Sequence, residues 1–388
     1  MRILLVQPKV NFGDELLETP SRALLILGTL AQGRGADVKI VHLTIDELGL
    51  KEFKPDIVGI TCNTFQVKNA EAVAKEARDY GAKVIVGGPH AIAWEGEADK
   101  VVIGEGENSW LEFIGSKDRI TDINEIPIPD YSLVDLDRFT GVRPVGAIPS
   151  LAIMASRGCP FHCTFCNTPV FWGSKVRYRK PQYVVDEVAI LQNIYGVNEI
   201  FFQDDTFNLN HEWASLIFQD IKKRGLSKEM LFKLACRVNE KLITKEFLDL
   251  AYKAGVWNIF YGIESGSQMM LDRMKKGITI AEIKRAIGIT HEAGIDTQCS
   301  FILGMPGESL ATISETRELL SQLIPKQAGR TLKYGWAHAC PFPGTELDKE
   351  VTKNGHKKDF TYSEYGYGRV LCRTDALTYE ELDAFRDF

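Results

Sequence analysis

From Leu151 to Ala337 the chain repeats one unit: a short apolar run, a helical stretch, and a glycine where the helix must stop. The runs are Leu151 to Ala155, Glu199 to Phe202, Leu231 to Cys236, Trp257 to Tyr261, Thr297 to Leu303 and Leu332 to Ala337. Between them Val184, Val188 and Leu191 recur at helical spacing, a capping box runs from Thr279 to Glu282, and Gly196, Gly225, Gly255 and Gly294 mark the stops. Six strands with intervening helices predict an incomplete version of the eight-stranded parallel barrel, in which chemistry sits at the carboxyl ends of the strands. The strand ends of the repeat are therefore read together, as one site.

The first strand runs into Ser156-Arg157-Gly158-Cys159-Pro160-Phe161-His162-Cys163-Thr164-Phe165-Cys166. Three thiolates spaced Cys-x-x-x-Cys-x-x-Cys can each take one iron of a 4Fe-4S cube, and with no fourth cysteine nearby the last iron stays open to another ligand. A zinc site completed by His162 or Cys236 is the alternative. Zinc sites usually show paired Cys-x-x-Cys or Cys/His units, and only one such pair exists here.

This spacing, with Phe165 before the last cysteine, resembles the signature of the radical S-adenosylmethionine (SAM) enzymes. The resemblance implies that Cys159, Cys163 and Cys166 hold the cluster, that its open iron binds the amino and carboxylate groups of SAM, and that Phe165 lies near the adenine. Other strand ends then fall into place. Gln203-Asp204-Asp205-Thr206-Phe207 matches the family position that holds the SAM amino group, with Asp204 or Asp205 as acceptor. Arg237, after the third strand, is a natural partner for the SAM carboxylate. Glu264 and Ser265 fall where the family contacts SAM, often at the ribose, and the segment Phe301 to Glu308, with Gly304, resembles the glycine-rich stretch that packs on adenine. Each of these alone reads equally well as a turn or an ion pair; their joint order is far more specific. Tyr334 and Trp336 alternate on the last strand and could meet a substrate or lie in the core.

The N-terminal residues 1–115 alternate in the same way. Ile3 to Gln7, Val38 to Val41, Asp56 to Thr61, Lys83 to Val86 and Val101 to Ile103 read as strands, and Pro20 to Gln32, Val67 to Tyr80 and Glu107 to Ile114 as helices, with Gly35, Gly81 and Gly88 at stops and turns. A Rossmann-like, doubly wound parallel sheet follows, with ligands expected at the carboxyl ends of its strands. Three of those ends carry glycine, hydroxyl or amide groups: Thr61-Cys62-Asn63-Thr64, Gly87-Gly88-Pro89-His90 and Gly104-Glu105-Gly106-Glu107. Ordinary tight turns would carry the same glycines. As a set, however, they resemble the cobalamin-binding domain that precedes the barrel in one branch of radical SAM enzymes. That resemblance implies cobalamin contacts from Thr61, Asn63, Thr64, Gly87, Gly88, Pro89, His90, Gly104, Glu105 and Gly106. One departure is clear: the loop Pro8 to Gly13 has no histidine, where many cobalamin domains place a cobalt-ligating one, so no lower ligand is expected from it. His90 is read as a loop residue near the nucleotide tail.

Residues 116–150 are rich in Asp, Pro and Gly and read as a linker, 151–345 as a TIM-like partial barrel, and 346–388 as a short C-terminal extension. The chain ends at Phe388 within a helical pattern, so a clipped or unusually short C-terminus is expected. A net charge of -6 without long runs disfavours a nucleic-acid substrate, and no apolar stretch approaches the roughly 20 residues of a membrane helix. A cytoplasmic enzyme is expected, with Cys62, Cys236, Cys299, Cys340 and Cys372 as buried small hydrophobes rather than disulfide partners.

The resemblance implies reductive cleavage of SAM to a 5'-deoxyadenosyl radical, then cobalamin-dependent methylation of an unactivated carbon in a small molecule or peptide. It also implies an electron donor such as flavodoxin or ferredoxin. A radical cyclase or rearrangement enzyme on the same scaffold is the alternative. A methylthiotransferase would carry further cluster cysteines in its N-terminal domain, where only Cys62 occurs. A non-catalytic cobalamin or metal sensor would have no need of the SAM-contacting strand ends.

Overall fold

The computed structural model describes residues 1–11, 18–324, 329–359, 361–366 and 368–385, so Phe12 and Gly13 of the first loop and the helical end expected at Phe388 lie outside the described residues. The chain divides into two compact units. One comprises Met1–Thr140, Val170–Trp172 and Asp359–Tyr367; the other comprises Gly141–Pro169, Gly173–Lys358 and Gly368–Phe388.

The first unit is a five-stranded parallel sheet of β1 (Arg2–Gln7), β2 (Asp37–His42), β3 (Ile57–Thr61), β4 (Lys83–Gly87) and β5 (Lys100–Val101), in the order β2-β1-β3-β4-β5. Apolar runs form its central strands because both faces are covered. Leu4 and Val6 of β1, with Val58 and Ile60 of β3, pack on Val67, Ala70, Ala74 and Ala77 of the helix Val67–Tyr80. Ile3 and Leu5 face the other way, with Ile57 and Ile85, onto Leu24, Leu30 and Trp110 of the helices Arg22–Gln32 and Glu107–Phe113. Fully burying each such aliphatic side chain contributes about 2 kcal/mol. The last strand is shorter than its sequence suggests, and Ile103 is exposed. The chain order reverses between β1 and β3, which places the ligand crevice of a doubly wound sheet above these two strands.

Residues 116–140 pack with the first unit through short helical turns capped by Asp122, Asp130 and Asp135, and the Asp130 N–H donates to Thr29 Oγ1 at 2.7 Å. From Gly141 the chain belongs to the second unit.

In the second unit, β6 (Ser150–Ile153) is followed by a small antiparallel pair, β7 (Ser156–Arg157) and β8 (Arg177–Tyr178). Then come β9 (Glu199–Phe202), β10 (Leu231–Cys236), β11 (Val256–Glu264), β12 (Asp296–Leu303) and β13 (Leu332–His338). The parallel order β13-β12-β11-β10-β9-β6 follows the chain, and β6 and β13 remain as two edges, as a partial six-stranded barrel requires. Phe202, Phe207, Phe218 and Phe247 pack as tilted rings from the sheet outward into the helix layer, with ring centroids 5.0 to 5.8 Å apart. The capping box Thr279 to Glu282 forms as predicted.

At the amino ends of β6 and β9 the residues just after the linker form a plug. The buried Glu199 accepts from Ser150 Oγ (2.6 Å), the Gly146 N–H (2.7 Å) and Trp257 Nε1 (2.9 Å), and lies 3.2 Å from Lys233 Nζ, which also donates to the carbonyls of Val142 and Pro144. With every charge and lone pair engaged, this buried pair anchors the segment 142–146 under the barrel.

Candidate active site

The cysteine loop begins where β6 ends, held by the pairing of β7 with β8. Gly158 adopts φ +96°, and a Cβ there would meet the carbonyl oxygen of Lys175 at 2.5 Å, so only glycine admits this path. Each of the three sulfurs has one polar partner of its own, a donor at Cys163 and at Cys166, and at Cys159 a hydroxyl that itself donates to the Asp205 carbonyl at 2.6 Å. Thr206 Oγ1 lies 3.6 Å from Cys159 Sγ, Arg237 Nη1 3.8 Å from Cys163 Sγ, and the Thr168 N–H donates to Cys166 Sγ at 3.4 Å. Burial pushes the Cys166 thiol up, so a thiolate there calls for a metal partner. Among the described residues no three Cys, His, Asp or Glu side chains converge as ligands of a single ion. A cube instead asks each sulfur to reach a different iron, and three soft thiolates, two of them with a donor behind, fit that group.

All three cysteines line one cavity of about 510 Å³ at the carboxyl ends of the strands. Phe165, Asp204, Asp205, Arg237 and Glu264 line it too, as do Thr168, Thr206, Asn258, Lys276 and Gln298. The structure distinguishes the two adjacent aspartates. Asp204 is spent on the fold: it accepts from Ser156 Oγ at 2.5 Å and the Ala155 N–H at 3.2 Å, and burial pushes its carboxyl up to about 6. Asp205 accepts from Thr168 Oγ1 at 2.8 Å, while its buried Oδ2 has no hydrogen-bond partner among the described residues. An acceptor left open in this way fits the ammonium group of SAM.

Glu264 lies at a register shift where β11 bulges between Gly262 and Glu264, with φ +71°. Such backbone is sparsely populated by non-glycine residues and persists only where surrounding contacts hold it. Lys276 Nζ supplies one, 2.8 Å from Glu264 Oε1, and Ser300 Oγ another, donating to Oε2 at 3.1 Å. Lys276 also lies over the Phe165 ring, 5.8 Å from its centroid. It was invisible as a site residue in Met274-Lys275-Lys276-Gly277, which reads as a solvated turn. Thr206, by contrast, stands beside the aspartates in the motif already singled out.

Two expected contacts do not line the cavity. Ser265 Oγ accepts from the Ser267 N–H at 3.1 Å and faces Thr316 Oγ1 at 3.4 Å, closing the turn after β11. The Gly304 N–H donates to Glu308, and Leu382 packs over its α-carbon. Tyr334 and Trp336 also leave the lumen. The register Phe301 with Trp336 turns them to the helix side, where the two rings lie 5.0 Å apart, because alternate strand residues face opposite ways.

In the first unit the predicted loops meet at the ends of β3, β4 and β5. Gly88 (φ +102°) packs main chain on main chain: a Cβ would lie 2.6 Å from the Cys62 carbonyl oxygen. Thr61 ends β3, the Cys62 N–H donates to the Gly87 carbonyl at 2.8 Å, and Asn63 Oδ1 accepts from the Phe65 N–H at 2.9 Å. Pro89 leads into His90, which is fully buried; its Nδ1 lies 3.2 Å from Thr64 Oγ1, its Nε2 has no hydrogen-bond partner among the described residues, and burial brings the ring down to about 4. Tyr362, from the segment that returns to this unit near the C-terminus, stands edge-on to His90 with centroids 5.0 Å apart. Gly104, Glu105 and Gly106 turn into the helix Glu107–Phe113, and space is open over Gly106. Close main-chain approach, an open glycine and an orphaned neutral imidazole nitrogen suit a large ligand such as cobalamin, with no histidine at the described part of the first loop to reach the metal.

The Radical SAM superfamily model matches residues 153–320, and the B12 binding domain model matches residues 9–114. An uncharacterized methyltransferase of Pyrococcus horikoshii, PH0819, is 31% identical, with 98% of this chain and 90% of that protein covered. The anaerobic magnesium-protoporphyrin IX monomethyl ester cyclase of Cereibacter sphaeroides is 28% identical, with 98% and 68% covered. The structure of TsrM from Kitasatospora setae, a radical SAM methyltransferase with cobalamin and a 4Fe-4S cluster bound, has the same fold, with a TM-score of 0.69 at 20% identity over 91% of this chain and 78% of that one. The two domain models fall on the two units that carry the two sets of loops, and the likeness to PH0819 runs through both: the chain belongs to the radical SAM superfamily, as an enzyme whose radical SAM domain follows a B12-binding domain.

Proposed function

We propose that this enzyme methylates an unactivated carbon of a small molecule or peptide, taking electrons from a flavodoxin- or ferredoxin-type donor in the cytoplasm. The observation that carries the reading is the single cavity in which three thiols, an unpaired aspartate oxygen and a strained glutamate meet at the ends of parallel strands. When bound, the cluster, SAM and methylcobalamin supply one-electron cleavage to a 5'-deoxyadenosyl radical and a transferable methyl group.

The chain's own residues bind and orient. Cys159, Cys163 and Cys166 hold three irons, Asp205 Oδ2 takes the SAM ammonium, and Phe165 faces the adenine. Glu264, braced by Lys276 and Ser300, accepts from the ribose. The plug at Glu199 and Lys233 closes the barrel beneath, keeping water away from a reactive intermediate and fixing the substrate within reach. In the first unit Thr61 to Thr64, Gly87 to His90 and Gly104 to Gly106 cradle the corrin and its nucleotide tail. None of the eight cysteines is in a disulfide, which suits a reducing compartment. No helix among the described residues is long and apolar enough to cross a membrane.

The test is anaerobic purification with cobalamin supplied. We expect about four irons and about one cobalt per chain, and 5'-deoxyadenosine on addition of SAM and reductant. Iron without cobalt would remove the methyl donor from the first unit and end the methyltransferase reading. Likeness to the Cereibacter sphaeroides cyclase favours one second reading, ring closure, which would give a product without an added methyl group.

A further inference from the structure

Arg237 is placed differently from what its position after β10 suggests. Each of its guanidinium nitrogens is engaged within the fold: Nε donates to Asn239 Oδ1 at 3.1 Å, Nη2 donates to the Lys276 carbonyl, and Nη1 points at Cys163 Sγ from 3.8 Å. Its plane lies on the Phe161 ring, 3.7 Å from the centroid, so a residue of the cysteine loop itself forms the platform. The main chain is fixed as firmly. The buried Asn208 accepts from the Arg237 N–H at 3.0 Å and donates to its carbonyl at 2.9 Å and to that of Leu242 at 2.8 Å. Arg237 is 6% exposed. Of the polar partners of the three sulfurs, this is the one that carries a charge.

We infer that Arg237 is a positioning and tuning residue that sets the reduction potential of the cluster through Cys163, and is not the partner of the SAM carboxylate. The inference rests on the proposal that these cysteines hold a cluster. A cube with three thiolates gains one negative charge when it takes one electron, with no bond made or broken. A fixed, desolvated cation on one sulfur stabilises the reduced form more than the oxidised one and so raises the potential. The fork is held rigid by three acceptors and a ring, so no reorganisation is needed when the electron arrives.

The experiment is a redox titration of reconstituted protein without SAM, followed by electron paramagnetic resonance, on wild type, Arg237→Gln and Arg237→Lys. For Arg237→Gln with a full iron complement, we expect the reduced-to-oxidised ratio at a fixed solution potential to fall about tenfold, equivalent to about 59 mV for one electron. Arg237→Lys keeps a charge but cannot serve all three acceptors, and should fall between. An Arg237→Gln potential equal to that of wild type would overturn the inference while leaving the radical SAM reading intact. If Arg237→Gln fails to assemble a cluster, Arg237→Lys decides: a midpoint below wild type supports the inference, and one at or above it overturns it. Wild type that assembles no cluster would instead defeat the reading beneath it. A merely structural arginine would change occupancy or stability without moving the potential.

Discussion

The two ligand-bearing regions of this protein are built from different materials. The loops of the first unit work with main chain, glycine, hydroxyls and one neutral histidine, whereas the lumen of the second is lined by thiols, paired aspartates and a buried lysine–glutamate bridge. A broad corrin needs close, uncharged approach over a wide surface. An inorganic cluster and a zwitterionic cofactor need point charges held rigidly, at the expense of local strain such as that at Glu264. What the comparison teaches is that the first region should fail by losing shape and the second by losing charge balance.

The largest expected effect separates the two outright. Cys159→Ala, Cys163→Ala or Cys166→Ala should each abolish iron retention and 5'-deoxyadenosine formation while leaving cobalt binding unchanged; Cys299→Ala should spare both. Iron analysis and product chromatography decide, and full SAM cleavage by Cys163→Ala would break the assignment.

Next comes the buried pair. Lys276→Met leaves Glu264 charged and unpaired and should destabilise the second unit by roughly 3–5 kcal/mol, most of it recovered in the Lys276→Met/Glu264→Leu double variant. Hydrogen exchange on peptides from β11 and β12 would read this, and simple additivity of the two changes would contradict the coupling.

In the first unit, Gly88→Ala must carry a Cβ into the Cys62 main chain at positive φ, at a cost of about 1–3 kcal/mol. It should reduce cobalt content and protection of β3 and β4, with iron content unaltered. Equal losses of iron and cobalt would erase the distinction drawn between the regions.

The smallest effect is in pH. His90 is brought down to about 4 from an ordinary 6.5, so between those values the unfolded chain binds a proton that the folded unit refuses, and acidification weakens the first unit. Glu308 is pushed up to about 7 from 4.5 by burial, so the folded second unit keeps a proton that the unfolded chain has released, and acidification from pH 7 to 4.5 strengthens it. Exchange protection corrected for intrinsic rate should therefore shift in opposite directions. His90→Phe should flatten the first slope only.

Much of this was legible in the residues. Strand periodicity and glycine stops gave both sheets, and β9, β10 and the helix Val67–Tyr80 begin and end where the pattern says. Side-chain parity was harder to read: Tyr334 and Trp336 fit a substrate contact or the core equally until the register with β12 turns them outward. Lys276 carried no signal in the residues, because only the β11 bulge brings Glu264 around to meet it. The polar segment around Tyr362 carried no sign that it would pack on His90.

The sequence by itself determined the three-thiol loop, the order of the strand ends and the alternation of strand and helix, because these depend on spacing within a few residues. Tertiary structure decided which aspartate keeps an open oxygen and which sulfur meets a cation. Ser156 captures Asp204 from 48 positions away, and Arg237 reaches Cys163 across 74. Such pairings follow from strand register and loop closure, which no local pattern encodes.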